Sequence, residues 1–232
     1  MSKAAHIALA ALALSAVPAG AAEFAVPKGC DAFLTVQTKS CEVALLWRCD
    51  VAPEGDHWEA RFDRDGLLAI TAYDAEYQWL ESTFMWDGSH EMLLTSEDPI
   101  SFSELLETGT DTFAFSVQRN DQDGTELQLV IGVDQLTGET TEIDGVPLEL
   151  TVTEHKYLTD AGKVDYHARG QQYVSREMGL FFLGRDELIE GDRVTEFDSS
   201  PVDFMFPGDT GFGGTTPLYG CDEIKARYHD AG

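Results

Sequence analysis

The chain has 232 residues, of which 42 are acidic and 15 basic, so its formal net charge is −27 at pH 7. A surplus of acidic residues this large argues against nucleic acid or anionic lipid as partners, and it is typical of a heavily solvated surface or of proteins that bind cations or basic partners. No complete catalytic or cofactor motif is present, so composition excludes classes of function without identifying one.

The N-terminus has the pattern of a secretory signal peptide. An apolar run from Ile7 to Val17 follows a basic residue and precedes small residues that suit a cleavage site. The run is shorter than the ~20 residues of a membrane-spanning helix, and Cys30 lacks the sequence context of a bacterial lipid anchor. We therefore expect residues 1–22 to be removed. Residues 23–232 then form one soluble, periplasmic or secreted domain with no lipid anchor and no transmembrane segment.

The cysteines at positions 30, 41, 49 and 221 predict two disulfides, since the chain is expected in an oxidising compartment. Cys41 and Cys49 stand on one predicted strand, roughly 26 Å apart at ~3.3 Å per residue, and cannot bond to each other. A hairpin turn at Lys39-Ser40 places Cys30 opposite Cys49, which leaves Cys41 for Cys221. A zinc site is the alternative, but the close ligand spacing that it needs is missing.

Asp-Gly pairs at 65–66, 87–88, 123–124 and 144–145 separate stretches rich in Val, Leu, Thr, Phe and Tyr. Such pairs favour tight hairpin turns, because Gly accepts the positive φ that these turns require. We expect an all-β fold in which an antiparallel meander of ten or more strands curls into an open barrel, half-barrel or sandwich. The predicted strands are 33–38, 42–49, 57–63, 67–73, 77–84, 92–96, 112–119, 126–133, 139–143, 146–158, 164–175, 180–188 and 194–206.

One short helix is predicted over about residues 99–107, with Asp98 as N-cap, Pro99 at its first position and Gly109 after its end. We expect it to cap one end of the sheet. Residues 206–221 contain too many Gly and Pro residues for a regular element and form a disulfide-tethered loop. This loop is either a lid over a cavity or an irregular C-terminal crossing.

Several partial motifs fail on a required residue. Segments that begin at Arg61 and Arg119 each imitate part of a calcium loop, because acidic residues follow at alternate positions. Both have arginine where the first ligand should be, and Ala72 and Val130 stand where the twelfth should be. These segments are therefore predicted to be hairpin turns, and we assign no metal and no cofactor.

The hairpin of residues 146–158 and 164–175 carries one row of polar residues that suits a site. If Leu158 pairs with Val164, two histidines lie opposite each other with Cβ atoms roughly 5 Å apart. Asp165 would then orient His167 as a general base, or the two imidazoles would share a metal. The alternative is the solvated face of a half-exposed hairpin. The candidate catalytic residues are His155, His167, Asp165, Tyr157 and Arg169.

Three functions remain open from the sequence. The one we favour is a non-enzymatic binding or carrier module for an apolar ligand, an amphipathic ligand or a lipidated protein. The second is a hydrolase using the His/Asp cluster or paired carboxylates, which must then lie in a cleft with perturbed pKa values. The third is a structural or interaction protein of the envelope. Aromatic residues that would line a cavity of the first kind are Trp47, Trp58, Trp79, Trp86, Phe113, Phe115, Phe181 and Phe182.

Overall fold

The computed structural model describes residues 24–222, and the predicted signal peptide lies outside the described residues. It shows one antiparallel sheet of 13 strands and one short helix. The elements in chain order are β1 (Cys30–Thr38), β2 (Val43–Cys49), β3 (His57–Phe62), β4 (Leu67–Tyr73), β5 (Trp79–Phe84), β6 (His90–Asp98), α1 (Phe102–Thr108), β7 (Thr110–Asn120), β8 (Thr125–Ile143), β9 (Val146–Thr159), β10 (Val164–Ser175), β11 (Leu180–Glu190), β12 (Arg193–Asp198) and β13 (Pro201–Met205).

Strands β1 to β12 follow one another as a meander, and β13 adds to the free edge of β1. Each predicted Asp-Gly pair lies in the connection between two paired strands. Between β8 and β9, Asp144 and Gly145 both have positive φ, 49° and 77°. Two successive left-handed residues are the backbone of a tight hairpin turn, so the predicted turn chemistry is confirmed here.

The two ends of the sheet are brought together by one short segment of chain. Strands β12 and β13 stand at opposite ends of the strand order, yet only Ser199 and Ser200 separate them. The amide of Ser199 donates to the Gly184 carbonyl of β11 at 2.7 Å, and the amide of Lys39, after β1, donates to the Ser200 carbonyl at 3.0 Å. The sheet therefore curls back on itself without closing, since no ladder joins β12 to β13, and this fits the expected open barrel or sandwich.

The inner face of this sheet carries the main hydrophobic core. Leu34 and Val36 of β1 and Phe113 and Phe115 of β7 point to this face, and Phe115 is 1% exposed. Alternate residues of a strand share a face, so the apolar rows predicted on these strands form the interior. The buried members of the cluster are Leu34, Val36, Ala44, Leu46, Tyr77, Ile100, Phe113, Phe115, Val117, Val130, Val146, Leu148, Leu180, Phe182 and Phe204.

Helix α1 covers one end of the interior, as predicted, where its Phe102 and Leu105 pack against Val174 of β10. Its start differs from the expectation. The N-cap is Ser101, whose hydroxyl accepts a hydrogen bond from the Glu104 amide at 3.2 Å, whereas the predicted cap, Asp98, ends β6. The three residues from 99 to 101 continue as an extended connector, so the helix begins at Phe102 and not at Pro99.

A second apolar cluster lies on the outer face of β2 and β3. Its buried members are Val43, Leu45, Trp47, Ala60 and Phe62, and Phe24 packs on it with its ring 5.7 Å from Trp47. Trp58 is paired with Trp47 and shares this outer face. The expectation that Trp47 and Trp58 line a cavity is therefore wrong, because the N-terminal segment, and not the interior, buries them.

Both predicted disulfides are present, Cys30–Cys49 and Cys41–Cys221. Cys30 stands opposite Cys49 in the ladder between β1 and β2, which is the register expected from a turn at residues 39–40. No cysteine is left free.

The C-terminal loop, residues 206–220, lies against the outer face of β1. The amides of Gly213 and Leu218 donate to the side chains of Thr35 and Gln37, each at 2.9 Å. These two side chains point away from the inner face, because they alternate along β1 with the core residues. The loop is therefore an irregular C-terminal crossing, which was one of the two predicted alternatives. The other alternative, a lid over a cavity, is wrong.

The two disulfides should differ in their contribution to stability, because they close chain segments of very different length, 180 and 19 residues. The double variant Cys41→Ser/Cys221→Ser is expected to lose about 2 kcal/mol more free energy of unfolding than Cys30→Ser/Cys49→Ser, from loop-closure entropy. Denaturant titration under non-reducing conditions measures the difference. A larger loss in the Cys30/Cys49 variant would show that local packing, and not loop length, sets the contribution.

Candidate ligand-binding cavity

The inner face of the sheet encloses a cavity of about 670 Å³ that the core does not fill. Cavities of roughly 300–1,000 Å³ are typical of sites for small ligands. The lining combines aromatic, aliphatic and charged side chains, among them Glu42, Glu59, Arg61, Tyr73, Tyr77, Phe84, Trp86, Tyr166, Phe181, Phe182 and Phe197. Of the aromatics predicted to line a cavity, Trp86, Phe181 and Phe182 do so.

This cavity lies at the end of the sheet opposite α1. Thr38 and Glu42 flank the turn between β1 and β2, and Phe84 and Trp86 flank the connection between β5 and β6. In a meander these connections lie at one end, whereas the β6–β7 connection, which contains α1, lies at the other. Trp86 is 63% exposed and marks the rim. We call this the open end of the interior.

Strand β3 supplies the charged wall of the cavity. Its polar residues His57, Glu59 and Arg61 alternate with Trp58, Ala60 and Phe62, which belong to the outer cluster, so the polar residues point inward. The guanidinium of Arg61 donates to the Glu42 carboxylate and lies 3.8 Å from that of Glu59. The side chain of Glu59 keeps 18% exposure, and Glu59 lines the cavity.

Burial sets the ionisation of this wall. It raises the pKa of Glu59, and the neighbouring Arg61 opposes that shift while Glu42 adds to it. Asp186 of β11 does not line the cavity, but it lies close enough to Arg61 for this arginine to oppose the rise of its pKa to about 6, which burial causes. The wall therefore holds carboxylates that are only partly compensated by one arginine.

Deeper in the interior, His155 lies between aromatic rings, with its ring centroid 5.8 Å from Trp79 and 5.7 Å from Tyr166. Burial lowers its pKa to about 4, so the imidazole is neutral at pH 7. It lines a small void of about 90 Å³ together with Asp134, whose pKa burial raises to about 6. Asp134 stands opposite Asp111 of β7, another buried carboxylate with a pKa of about 6.

The predicted pairing of His155 with His167 is wrong. The ladder between β9 and β10 shifts after Val164, where Asp165 is an extra residue, so Tyr166 pairs with Tyr157 and Ala168 with His155. A one-residue shift moves every following side chain to the other face. The two histidines consequently lie on opposite faces of the sheet, His155 inside and His167 outside.

The other candidates are separated as well. His167 contacts Glu154 at 2.9 Å on the outer face, and Asp165 accepts a hydrogen bond from Gln128 at 3.0 Å. Arg169 donates to Glu187 at 2.7 Å, also outside. Tyr157 is buried on the inner face, where it stacks on Trp79 at 6.2 Å. The five residues therefore do not form the predicted acid–base cluster.

A second depression of about 670 Å³ lies on the outer face across β8 to β12. Its lining includes the exposed ion pairs Arg169–Glu187 and Arg185–Asp198, which are already solvated, together with the apolar residues Val133, Val152 and Phe197. Exposed pairs of this kind contribute little and leave few unsatisfied groups for a ligand. The inner cavity, whose charges are shielded from solvent by the sheet, is the better candidate site.

The sequence reading missed the charged residues of the inner cavity. A row such as His57, Glu59 and Arg61 resembles the solvated side of any half-exposed strand. The apolar residues Trp58, Ala60 and Phe62 on the other face of β3 could have indicated the true orientation. If the polar residues face the interior, another segment of the chain must bury these apolar side chains. Phe24 and Val26 provide that cover.

Comparisons of the chain with protein-family models, with curated proteins and with solved structures find no significant match. Within residues 24–222, no helix is long and apolar enough to cross a membrane. The same residues contain no group of three or more His, Cys, Asp or Glu side chains placed to hold a metal ion.

The buried carboxyl group of Asp134 should make the stability of the protein depend on pH. Because burial raises its pKa from 3.8 to about 6, the folded protein binds a proton there that the unfolded chain does not, and its stability falls as pH rises between these values. Asp134→Asn imitates the protonated form. We expect this variant to be about 1–2 kcal/mol more stable than the parent at neutral pH, with the difference vanishing near the lower pKa value.

Denaturant titrations across this pH range measure the effect, with Glu139→Gln, a change at an exposed carboxylate, as the control. The control should show no comparable gain. An Asp134→Asn protein less stable than the parent at neutral pH would show that the ionised carboxylate is a favourable part of the interior.

Proposed function

We propose that this protein is a non-enzymatic binding or carrier module that holds an apolar or amphipathic ligand in its inner cavity. The observation that supports the proposal best is the cavity itself, about 670 Å³ of space inside the sheet and lined by both rings and charges. Protein interiors are normally packed to the density of organic crystals, with few voids larger than a water molecule. A cavity of this size therefore needs an occupant or water.

The lining favours a ligand with an apolar part. Tyr77, Phe181 and Phe182 form its inner portion, and the hydroxyl of Tyr77 already donates to the Phe181 carbonyl at 3.0 Å. These side chains offer ring surface more than free polar groups to a ligand. At the rim, Trp86 gives an entering molecule an exposed apolar contact. An acyl chain of a lipid or of a lipidated protein would find apolar contacts both at the rim and in the inner portion of the cavity.

Location outside the cytoplasm is part of the proposal. All four cysteines are paired, and such bonds persist in oxidising compartments. Together with the signal-peptide pattern of residues 1–22, this supports a periplasmic or secreted protein. A soluble carrier in that compartment must shield apolar ligands from water, which is what an enclosed cavity provides.

The His/Asp form of the hydrolase alternative loses its structural support, because His155 and His167 lie on different faces of the sheet. The paired carboxylates Asp111 and Asp134 are 2% and 6% exposed and do not line the inner cavity. His155, which is inside, is neutral and packed between rings. The arrangement supplies no nucleophile next to a base, so we do not propose turnover of a substrate.

A variant that fills the cavity tests the proposal. Ala69 lies on the inner face between Arg61 and Phe84, and it lines the cavity. Ala69→Phe places a ring in the space that a ligand needs. We expect it to weaken binding of the fluorescent probe N-phenylnaphthylamine by about tenfold or more, measured by fluorescence titration.

The matched control is Ala114→Phe, which adds the same ring on the outer face of β7, opposite Phe113 and Phe115. It should leave probe binding unchanged. Native mass spectrometry of the exported protein gives an independent readout, since a carrier purified from its own envelope should carry additional mass. No bound mass, together with no response to a panel of lipids and amphiphiles, would contradict the carrier function.

A further inference from the structure

The inner surface at the open end has far more acidic than basic groups. Arg61 lies within 4 Å of two glutamates, Glu42 and Glu59. It also lies close enough to Asp186 of β11 to lower the pKa of that carboxyl group. Among the described residues that line the cavity, Arg61 is the single basic side chain. Its guanidinium is occupied by carboxylates that are already in place. It therefore offers no free positive charge to a ligand.

A second arginine on the neighbouring part of the inner face shows the same imbalance. Arg119 of β7 contacts Glu91 at 2.7 Å and Asp87 at 2.6 Å, and it lies 3.8 Å from Asp121. Glu91 is 9% exposed. The guanidinium of Arg119 also lies 5.7 Å from the ring of Phe84, which lines the cavity. The charges of this region therefore form two arginine-centred groups, each with an excess of carboxylates.

This distribution discriminates between ligand head groups. An anionic head group would enter a region of low polarity that contains uncompensated carboxylates and occupied arginines, and such like-charge contacts are strongly unfavourable. A cationic head group would compensate the excess. The rings of Tyr73, Phe84, Trp86 and Tyr166 line the same cavity and offer faces to a cation.

We propose that the ligand of the inner cavity is a cationic amphiphile, with an ammonium head group near Glu59 and Tyr73 and an apolar tail directed toward Phe181 and Phe182. This inference rests on the proposed binding function and specifies its ligand class. It also agrees with the net charge of −27, which attracts cations to the protein before they reach the cavity.

The test compares two amphiphiles with the same apolar tail and opposite head groups, decyltrimethylammonium and decanesulfonate, below their micelle-forming concentrations. Isothermal titration calorimetry with the purified protein measures both affinities. We expect the ammonium compound to bind about tenfold more tightly or better. Affinity for decanol, which has the same tail and no charge, should lie between the two.

A variant separates a local effect from the general attraction of an acidic protein. Glu59→Gln removes one negative charge from the cavity wall, and Glu139→Gln removes one from an exposed position on β8. We expect Glu59→Gln to weaken ammonium binding by about threefold to tenfold and to leave sulfonate binding unchanged or stronger. The Glu139→Gln control should bind both compounds like the parent. If Glu59→Gln does not fold, as judged by circular dichroism, Glu42→Gln, which removes the other glutamate charge from the cavity lining, replaces it.

The possible failures are distinguishable. If none of the three compounds binds, the carrier function itself is contradicted. If all three bind with equal affinity, or the sulfonate binds more tightly, the cavity binds amphiphiles but the preference for a cation is wrong. Equal loss of ammonium binding in Glu59→Gln and Glu139→Gln would assign the preference to overall charge and would overturn the proposed contact.

Discussion

The fold depends on the connection between the two edges of a long meander. Exposed strand edges present unpaired backbone groups and invite association with other chains. Here the chain leaves β12 at one edge, crosses through Ser199 and Ser200, and becomes β13 at the other edge. One residue of this crossing bonds to the β11 side and the next to the β1 side. The same few residues therefore hold both ends of the sheet and impose its curvature.

Curvature then decides which side chains can fill the interior. Toward α1 the inner positions carry large apolar residues such as Phe113 and Phe115, and the void that remains beside His155 and Asp134 has only about 90 Å³. At the open end the inner positions of β3 and β7 include Arg61 and Arg119 with their carboxylates. Charged groups keep their hydration or an equivalent partner, because full desolvation costs several kcal/mol per ion. The cavity is therefore a consequence of where the sequence places charge on an inward-facing strand.

The sequence predicted an antiparallel meander of ten or more strands, its hairpin turns and both disulfides, because these depend on local chemistry. The predicted strands 126–133 and 139–143 are one strand, β8, and the predicted strand 194–206 is divided into β12 and β13. The sequence could not predict which face of a strand points inward where the apolar row lies on the outer face. On β8, Leu127 and Leu129 form the apolar row, yet they point outward and are exposed, while Gln128 points inward. The extra residue at Asp165 was also invisible, since unbroken alternation on β10 favours a regular ladder. Face and register are set by tertiary packing, which a strand pattern does not contain.

The charged groups of the interior also bear on the proposed binding function. Catalytic acids and bases need a group that changes protonation next to a reacting atom. In this interior the arginines hold carboxylates in ion pairs, and the buried imidazole of His155 is neutral and surrounded by rings. The arginine–carboxylate pairs can orient and compensate a charged molecule, whereas Asp111 and Asp134, whose pKa values are about 6, change protonation near neutral pH and lie outside the cavity lining. An open-ended cavity with fixed charges at one end and rings at the other can discriminate ligands by shape and charge, which the proposed binding function requires.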